Sequence, residues 1–515
     1  MAAAGIPLLL WRRGPGRGGR DILAAILLLA PVAAASAADW PQFLGPHSNG
    51  TSDETGLLDK WPTNGLPLIW DNKIGTGYGA PSIRGDLLVF HHRIGDEEIV
   101  EALEAATGKP LWHYSYPSHF IDPYGYNNGP RSSPLLTETR CYTFGAEGKL
   151  LCLDLKTGKL IWQRDTAADW DIPPAFFGVG SSPIVVENVR EAFLSPSDGE
   201  RVRVRGEDAL LVVMVGGQPN SGVVALDPGT GKTVWESVGE KNWQGQPMLG
   251  WPGQRKVNWQ TWEKQASYST PIAATIHGQR HLLCLMRQGL VSLNPSNGAV
   301  NFSFWFRSPV NDSVNAMVPV VMDDCILISG AYYKIGSVLL KVGTTSTSSQ
   351  TSSLRNGTTR KSSLPLSDLE VREIWRSTVL ELHWNTPIYH DGYLYAFSGR
   401  NEPDAHFRCV EFKSGKLMWD RAEHWAPHST PTPDVYGRGS CLMADGKLIV
   451  LGEGGLLGLF QINPQQPEEI SRFQVPQLHY PCWAAPILSN KRLYLRSEDR
   501  LLCLSVAKLP TEAHR

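Results

Sequence analysis

One sequence motif recurs along most of this chain, and each copy predicts a strand, a tight turn and a returning strand. The four clearest copies occupy 102–112, 152–162, 224–235 and 409–419. Their shared pattern is small-x-acid-x-x-Thr-Gly-x-x-x-Trp, with Ser replacing Thr in the last copy. The glycine supplies the positive φ of the turn, while the acid and the hydroxyl can hydrogen-bond its backbone. Repeats spaced by about 40–50 residues are typical of propellers and linear arrays.

An aromatic residue ends each returning strand, so these residues count the repeat units. They are Trp70, Trp112, Trp162, Trp235, Phe302, Trp375, Trp419 and Phe473. The last unit, at 502–505, has no returning strand, whereas 67–70 is a returning strand with no hairpin before it. We therefore predict an all-β, eight-bladed β-propeller of four-stranded antiparallel blades. The N-terminal strand is expected to complete the last blade, and this circular closure leaves no exposed sheet edge. Seven blades is the alternative, because the seventh copy is degenerate.

The repeat resembles the tryptophan-docking motif of the PQQ-like, quinoprotein-type β-propellers. The segments DWPQFLGP at 39–46 and ETGL at 54–57 are also similar to the opening of exported bacterial members of that superfamily. The resemblance covers about 39–506 of the chain and implies the propeller fold. It implies no single function, because the superfamily includes PQQ-dependent alcohol dehydrogenases, the propeller of the outer-membrane barrel assembly machinery and other exported proteins.

The N-terminal segment is typical of a secretory signal. Four arginines precede the apolar run 22–32, and the small residues 35–37 form an A-x-A cleavage pattern. The sequence thus predicts a signal peptide at 1–37, a leader at 38–66 that packs on the propeller, and one propeller domain at 67–510. Insertions are expected at 187–208, 236–266 and 343–364.

Export with this signal predicts a periplasmic protein. The first cysteine is Cys141, so no lipid-attachment cysteine follows the predicted cleavage point, and no later segment is long and apolar enough to span a bilayer. The formal net charge is -2, so the sequence does not have the excess positive charge that is typical of nucleic-acid-binding proteins. We expect a monomer whose partner is a protein or another component of the cell envelope.

The loops that join one blade to the next are long and aromatic, which makes them the candidate functional region. They span 113–131, 169–180, 236–268 and 423–438. Two interpretations are open: a packed lid over the channel, or a platform that binds a planar ring, a sugar or a partner protein. The residues expected at the channel mouth are Arg131, Tyr268, Asn315, His383, Trp384, Asn385, Arg438 and Trp483. They either satisfy strand-start hydrogen bonds or line a ligand funnel.

The resemblance to quinoprotein dehydrogenases implies PQQ, a Ca²⁺ held by carboxylates and an Asn, and a disulfide between adjacent cysteines. No two cysteines are adjacent here, and no C-x-x-C-H motif for covalent haem occurs. Asp312, beside Asn311 and Asn315, is the nearest candidate for the calcium site.

Two histidine pairs also bear on metal binding. His424 and His428 have metal-ligand spacing, but Pro427 favours a loop over a helix, so we predict no metal there. His91 and His92 are expected in a solvated turn.

These observations favour a non-catalytic exported propeller that binds or scaffolds a partner in the cell envelope, with no cofactor. The alternative is a PQQ-dependent or PQQ-like oxidoreductase acting on an alcohol or a sugar, which would need PQQ and Ca²⁺. No catalytic residue is assigned from the sequence.

Overall fold

The computed structural model describes residues 39–170, 172, 177–187, 209–217, 219–243, 267–308, 310, 313–344, 369–426 and 434–508. The predicted signal peptide, Asp312, His428 and most of the three predicted insertions lie outside these residues. Within the described ranges, no helix is long and apolar enough to cross a membrane.

The described strands form eight four-stranded antiparallel sheets, which are the blades of a β-propeller. Blade 1 consists of β2 (Ser82–Arg84), β3 (Leu87–Ile94), β4 (Glu97–Glu104) and β5 (Pro110–Pro117). Blade 2 consists of β6 (Leu135–Leu136), β7 (Arg140–Phe144), β8 (Lys149–Asp154) and β9 (Leu160–Asp165). Blade 3 consists of β10 (Ile184–Glu187), β11 (Ala209–Gly217), β12 (Ser221–Leu226) and β13 (Thr233–Ser237). Blade 4 consists of β14 (Ile272–Ile276), β15 (Gln279–Leu285), β16 (Gly289–Leu293) and β17 (Val300–Trp305).

The second half of the ring repeats this plan. Blade 5 consists of β18 (Val320–Met322), β19 (Cys325–Gly330), β20 (Gly336–Thr344) and β21 (Leu369–Ser377). Blade 6 consists of β22 (Ile388–His390), β23 (Tyr393–Ser398), β24 (His406–Glu411) and β25 (Leu417–Ala422). Blade 7 consists of β26 (Ser440–Ala444), β27 (Lys447–Leu451), β28 (Leu456–Gln461) and β29 (Glu468–Gln474). Blade 8 consists of β30 (Ile487–Ser489), β31 (Arg492–Arg496), β32 (Arg500–Ser505) and the N-terminal β1 (Leu68–Lys73).

In the described ranges, helical structure is short and confined to connections. Helix α1 (Thr166–Trp170) follows β9. Single 3₁₀ turns occupy Glu240–Trp243, Tyr332–Lys334 and Glu402–Asp404.

Strand β1 closes the ring by completing blade 8. It pairs antiparallel with β32, and Trp70 lies opposite Cys503. The seventh sequence copy, although degenerate, forms a full sheet from β26 to β29. The predicted eight-bladed propeller is therefore confirmed, and the seven-bladed alternative is wrong.

In six of the eight blades, a tryptophan of the outer strand joins its blade to the next one. Its indole Nε1–H donates to a backbone carbonyl in the following hairpin turn at 2.9–3.0 Å. These bonds are Trp70 to Ala105, Trp112 to Leu155, Trp162 to Pro228, Trp235 to Pro295, Trp375 to Phe412 and Trp419 to Asn463. The bond from Trp70 runs from blade 8 to blade 1, so the same contact also seals the ring.

The turn glycine is required by this contact as well as by the turn. Gly158 has a φ of +68°, and a Cβ placed on it would lie 2.4 Å from the Trp112 ring. The same ring-on-glycine contact occurs at Gly108, Gly231, Gly298 and Gly415. A side chain at these positions would displace the indole that joins two blades.

The leader crosses the end of the channel opposite the blade-to-blade loops. Trp40 exchanges two backbone hydrogen bonds with Ile83 of blade 1, and the carbonyl of Pro41 accepts from Leu136 of blade 2. Further along, the carbonyl of Gly50 accepts from Met443 of blade 7. The segment between these contacts spans the ring, and this places Phe43 and Leu44 at the channel.

The prediction that His91 and His92 lie in a solvated turn is wrong. Both lie within β3 and are buried, at 1% and 2% exposure. His91 Nε2 lies 3.3 Å from the buried Glu98 carboxylate, which also accepts from Tyr116 Oη at 2.5 Å and from the Ala146 N–H at 3.0 Å. Because Ala146 belongs to blade 2, this network joins blades 1 and 2. Burial by itself raises the pKa of Glu98, but these partners, led by His91, lower it below its ordinary value.

Replacing Gly158 with alanine should destabilise the protein through the Trp112 contact. A non-glycine residue at positive φ costs about 1–2 kcal/mol, and the displaced indole should add about 1–3 kcal/mol as an overpacking penalty. The midpoint of thermal or urea unfolding measures the change. Gly278→Ala is the matched control, because Gly278 has a φ of +77° and nothing within 4 Å of its added Cβ. Equal losses in the two variants would contradict the ring contact.

The contribution of Glu98 to the free energy of unfolding should decrease at acid pH. Its folded pKa is lowered from 4.5, so its contribution is complete above that value and is lost as the pH falls through the folded pKa. We expect Glu98→Gln to lower stability at pH 7 by about 1–3 kcal/mol, and the difference from wild type to shrink below pH 4.5. Urea unfolding at a series of pH values tests this. Glu97→Gln, at the exposed neighbour, should leave the profile unchanged.

Candidate functional site

A cavity of about 200 Å³ lies in the channel between the leader and the blade-to-blade loops. Phe43 and Leu44 of the leader line it from one side. The small residues that precede or begin the inner strands form much of its wall. These are Ala80, Gly180, Ser182, Ala316, Thr386, Ser440 and Ala485. The cavity therefore depends on ring closure, because its wall is drawn from blades throughout the chain.

Aromatic rings surround the cavity in a nearly continuous belt. The blade-to-blade loops supply one ring before each of six inner strands, namely Tyr78, Tyr126, Phe177, Tyr268, Trp384 and Trp483. Neighbouring rings are in contact, with centroids 4.8 Å apart for Tyr78 and Trp483 and 5.2 Å for Trp384 and Trp483. Tyr332, from the turn between β19 and β20, adds a seventh ring.

Arg131 lines the cavity but already has an anionic partner. Its Nη2 donates to Asp122 Oδ2 at 2.5 Å, and its Nη1 donates to the carbonyl of Gly129. Asp122 is 1% exposed, and Arg131 is 11% exposed. Burial lowers the pKa of Arg131, and the charge of Asp122 opposes that shift. The guanidinium is thus held as one half of a buried ion pair.

Arg438 is paired still more extensively. Its Nη2 donates to Glu402 and, at 3.0 Å, to Glu453, and its backbone N–H also donates to Glu453 at 2.8 Å. The indole N–H of Trp483 donates to the same Glu453 carboxylate at 2.9 Å. The guanidinium carbon lies 4.6 Å from the centre of the Trp384 ring. Both aromatic and carboxylate partners therefore hold this arginine in the wall.

Two further titratable groups of the wall, His383 and Tyr268, have pKa values shifted by burial. Burial, together with the positive charges of Arg438 and Arg400, lowers the pKa of His383 well below its ordinary value. Burial raises the pKa of Tyr268 to about 12, so its hydroxyl keeps its proton. The wall consequently presents aromatic rings and small side chains to the cavity. The charges of its two arginines are paired with buried carboxylates.

The structure brings seven of the eight predicted mouth residues to this cavity. They are Arg131, Tyr268, His383, Trp384, Asn385, Arg438 and Trp483. Asn315 lies beside the cavity but does not line it, because its side-chain amide donates to the carbonyls of Met286 and Phe306.

Sequence reasoning missed two groups of residues. The first group comprises the carboxylates Asp122, Glu402 and Glu453, which pair with the arginines, and the second comprises the leader residues Phe43 and Leu44. The position of Phe43 and Leu44 inside the DWPQFLGP segment was the available signal for the second group. No local pattern marks the three carboxylates.

The described lining residues do not fit PQQ. PQQ carries three carboxylates, and the two arginines of the lining are already bound to Asp122, Glu402 and Glu453. An anion entering the cavity would have to compete with carboxylates that are already buried and hydrogen-bonded. Within the described ranges, no cluster of three or more His, Cys, Asp or Glu residues is arranged to hold a metal ion.

Solved structures share this fold at low sequence identity. A europium-containing methanol dehydrogenase has a TM-score of 0.55 at 13% identity, with 89% of each chain covered. The quinohemoprotein alcohol dehydrogenase from Comamonas testosteroni has a TM-score of 0.53 at 12% identity, with 92% of this chain and 82% of that chain covered. BamB from Moraxella catarrhalis has a TM-score of 0.49 at 14% identity, with 87% of this chain and 99% of that chain covered. These likenesses concern the propeller fold alone.

The sequence matches no curated protein. It does match one family model, described as outer membrane protein assembly factor BamB, over residues 61–171 and 96–364. Together these matches span 61–364, which is more than half of the chain. This chain therefore belongs to the PQQ-like propeller family that the BamB model describes.

Proposed function

We propose that this protein is a non-catalytic binding propeller of the cell envelope. Its site is the aromatic cavity together with the surrounding loops, and the cavity takes an uncharged apolar or aromatic group of a partner. The loop at 113–131 forms part of the surface that the rest of the partner would contact.

The pairing of the two wall arginines carries this proposal. A site for an anionic cofactor needs free cations, whereas Arg131 and Arg438 are bound by buried carboxylates. What faces the cavity is a belt of aromatic rings, which gain most from a flat, uncharged group that displaces water. The same arrangement speaks against a PQQ-dependent oxidoreductase.

The loop surface near the cavity supports a macromolecular partner. Ile121, Tyr124 and Tyr126 are 74%, 55% and 53% exposed, and they belong to one loop. Apolar residues grouped on a surface in this way usually mark a contact site. The family description, an outer membrane assembly factor, agrees with a partner in the envelope. The signal pattern at 1–37 supports export to the periplasm.

The inter-blade indole contacts support a further assignment within the family. We propose that they are the tryptophan-docking motif that the repeat resembles. In that case the motif serves the scaffold, and the rings of the belt serve binding.

A matched pair of ligands tests the charge preference of the cavity. Indole should bind at least about 10-fold more tightly than indole-3-carboxylate at pH 7, because the carboxylate must compete with Asp122 and Glu453 for the arginines. PQQ with Ca²⁺ should form no stoichiometric complex and support no dye-linked alcohol oxidation. Titration calorimetry and quinone absorbance measure these results.

Two variants control this experiment. Ala485→Phe should fill the cavity and abolish indole binding, whereas Leu111→Phe, on the outer surface of blade 1, should not. A stoichiometric PQQ complex that Trp384→Ala or Arg131→Ala removes would overturn the proposal.

Site-specific photo-cross-linking tests the partner surface. A photoreactive residue at Ile121 should capture a defined envelope component in living cells, since Ile121 lies in the exposed apolar loop. The same residue at Leu111 is the control, because Leu111 is 54% exposed but lies on the outer strand β5. Adducts of equal yield from both positions, or from Leu111 alone, would contradict a partner site at the loops.

A further inference from the structure

We propose that His406 and His424 form a binding site for one divalent transition-metal ion of the Zn²⁺, Ni²⁺ or Cu²⁺ class. The two histidines lie at the loop end of blade 6, outside the aromatic cavity. The proposal does not depend on the function proposed above, because none of its residues lines that cavity.

The backbone brings the two histidines together from 18 positions apart. His406 begins β24 and pairs with Ala422 at the end of β25, and His424 follows two residues later. The two Nε2 atoms are 3.0 Å apart, and the rings meet edge to face at an angle of 76°. Strand pairing therefore brings His406 close to the chain segment that carries His424.

This distance suits two ligands of a single metal ion. A metal bound to imidazole nitrogen at about 2.0–2.1 Å, with a ligand–metal–ligand angle between about 90° and 109°, places the two nitrogens about 2.8–3.4 Å apart. The 3.0 Å separation of His406 Nε2 and His424 Nε2 lies within that range. Imidazole is a preferred ligand of Zn²⁺, Cu²⁺ and Ni²⁺.

A carboxylate orients one of the two ligands. Asp420 Oδ1 lies 2.7 Å from His406 Nδ1. An ionised carboxylate only accepts, so Nδ1 carries the proton, and in the neutral imidazole Nε2 keeps its lone pair on the side of His424. Arg408 holds the same carboxylate, donating from Nε at 3.0 Å and from Nη2 at 3.2 Å. A carboxylate that fixes the tautomer of a histidine in this way is the usual outer partner of a metal-binding imidazole.

The rest of the coordination sphere is open to solvent. His424 is exposed, and the side chain of His406 is 24% exposed. Water can therefore complete the sphere, in agreement with the absence of any described cluster of three protein ligands. In the metal-free protein with both imidazoles neutral, this geometry lets His424 Nε2–H donate to His406 Nε2. When the metal binds, His424 takes its other neutral tautomer, and its proton moves from Nε2 to Nδ1 through solvent.

Metal titration of the mature protein tests the site. We expect one Zn²⁺ or Ni²⁺ per chain by calorimetry and a Cu²⁺ electron paramagnetic resonance spectrum with two equivalent imidazole nitrogens. His424→Ala and His406→Gln should each weaken binding by about 10-fold or more and remove the two-nitrogen signature. Asp420→Asn should weaken binding by about 10–100-fold while the two-nitrogen signature persists at saturating Cu²⁺.

Two further variants make the test decisive. His479→Ala is the control, because His479 is 61% exposed and has a carboxylate partner, Asp499, at 3.1 Å; it should leave binding unchanged. His428→Ala tests the helical spacing considered in the sequence. Loss of binding in His428→Ala with retention in His406→Gln would overturn the proposal. Binding that persists unchanged in both His406→Gln and His424→Ala would also overturn it, as would no binding in the wild-type protein.

Discussion

The contact between one blade's indole and the next blade's turn glycine is the interaction on which the rest of this structure depends. The indole N–H donates to a carbonyl of the turn while its ring covers the glycine. One residue therefore provides a directional hydrogen bond and also buries apolar surface between the blades. Each such contact is modest, since a hydrogen bond of this kind contributes about 1 kcal/mol. Trp70 makes the same contact from blade 8 back to blade 1, so the contact also closes the ring. Without closure, the cavity would have no continuous wall.

The two arginines of the cavity wall are paired with buried carboxylates. Glu453, in the turn between β27 and β28, receives hydrogen bonds from Arg438, Trp425 and Trp483. A buried ion pair of this kind contributes little net stability, because desolvation offsets the attraction. The pairing does fix which loops contact one another, and it thereby positions the aromatic rings that those loops carry.

Much of the fold could be predicted from the sequence, because its determinants are local and repeat. The turn glycine, the hydroxyl before it and the closing tryptophan lie within 12 residues of one another in a copy such as 224–235, so each blade carries its own signature. Seven of the mouth residues could also be predicted, since most residues just before inner strands lie at the channel mouth. Asn315 has an equivalent position, but its amide donates to the carbonyls of Met286 and Phe306 instead. Asp122 and Glu402 could not be, because nothing near them in the sequence specifies an arginine partner. His91 was misjudged because burial of a histidine depends on Glu98 and Tyr116 from neighbouring strands.

The sequence by itself predicted eight blades, the closing strand and the family resemblance, since all three follow from a repeated local pattern. The structure then excluded the seven-bladed alternative. Only the tertiary structure decided what the channel contains and what the polar residues do. Arg438 and Glu402 are 36 positions apart, and the leader residues Phe43 and Leu44 line a cavity shared with Trp483. Such neighbours meet because the ring closes. A local sequence pattern does not show which distant side chains then form ion pairs with one another.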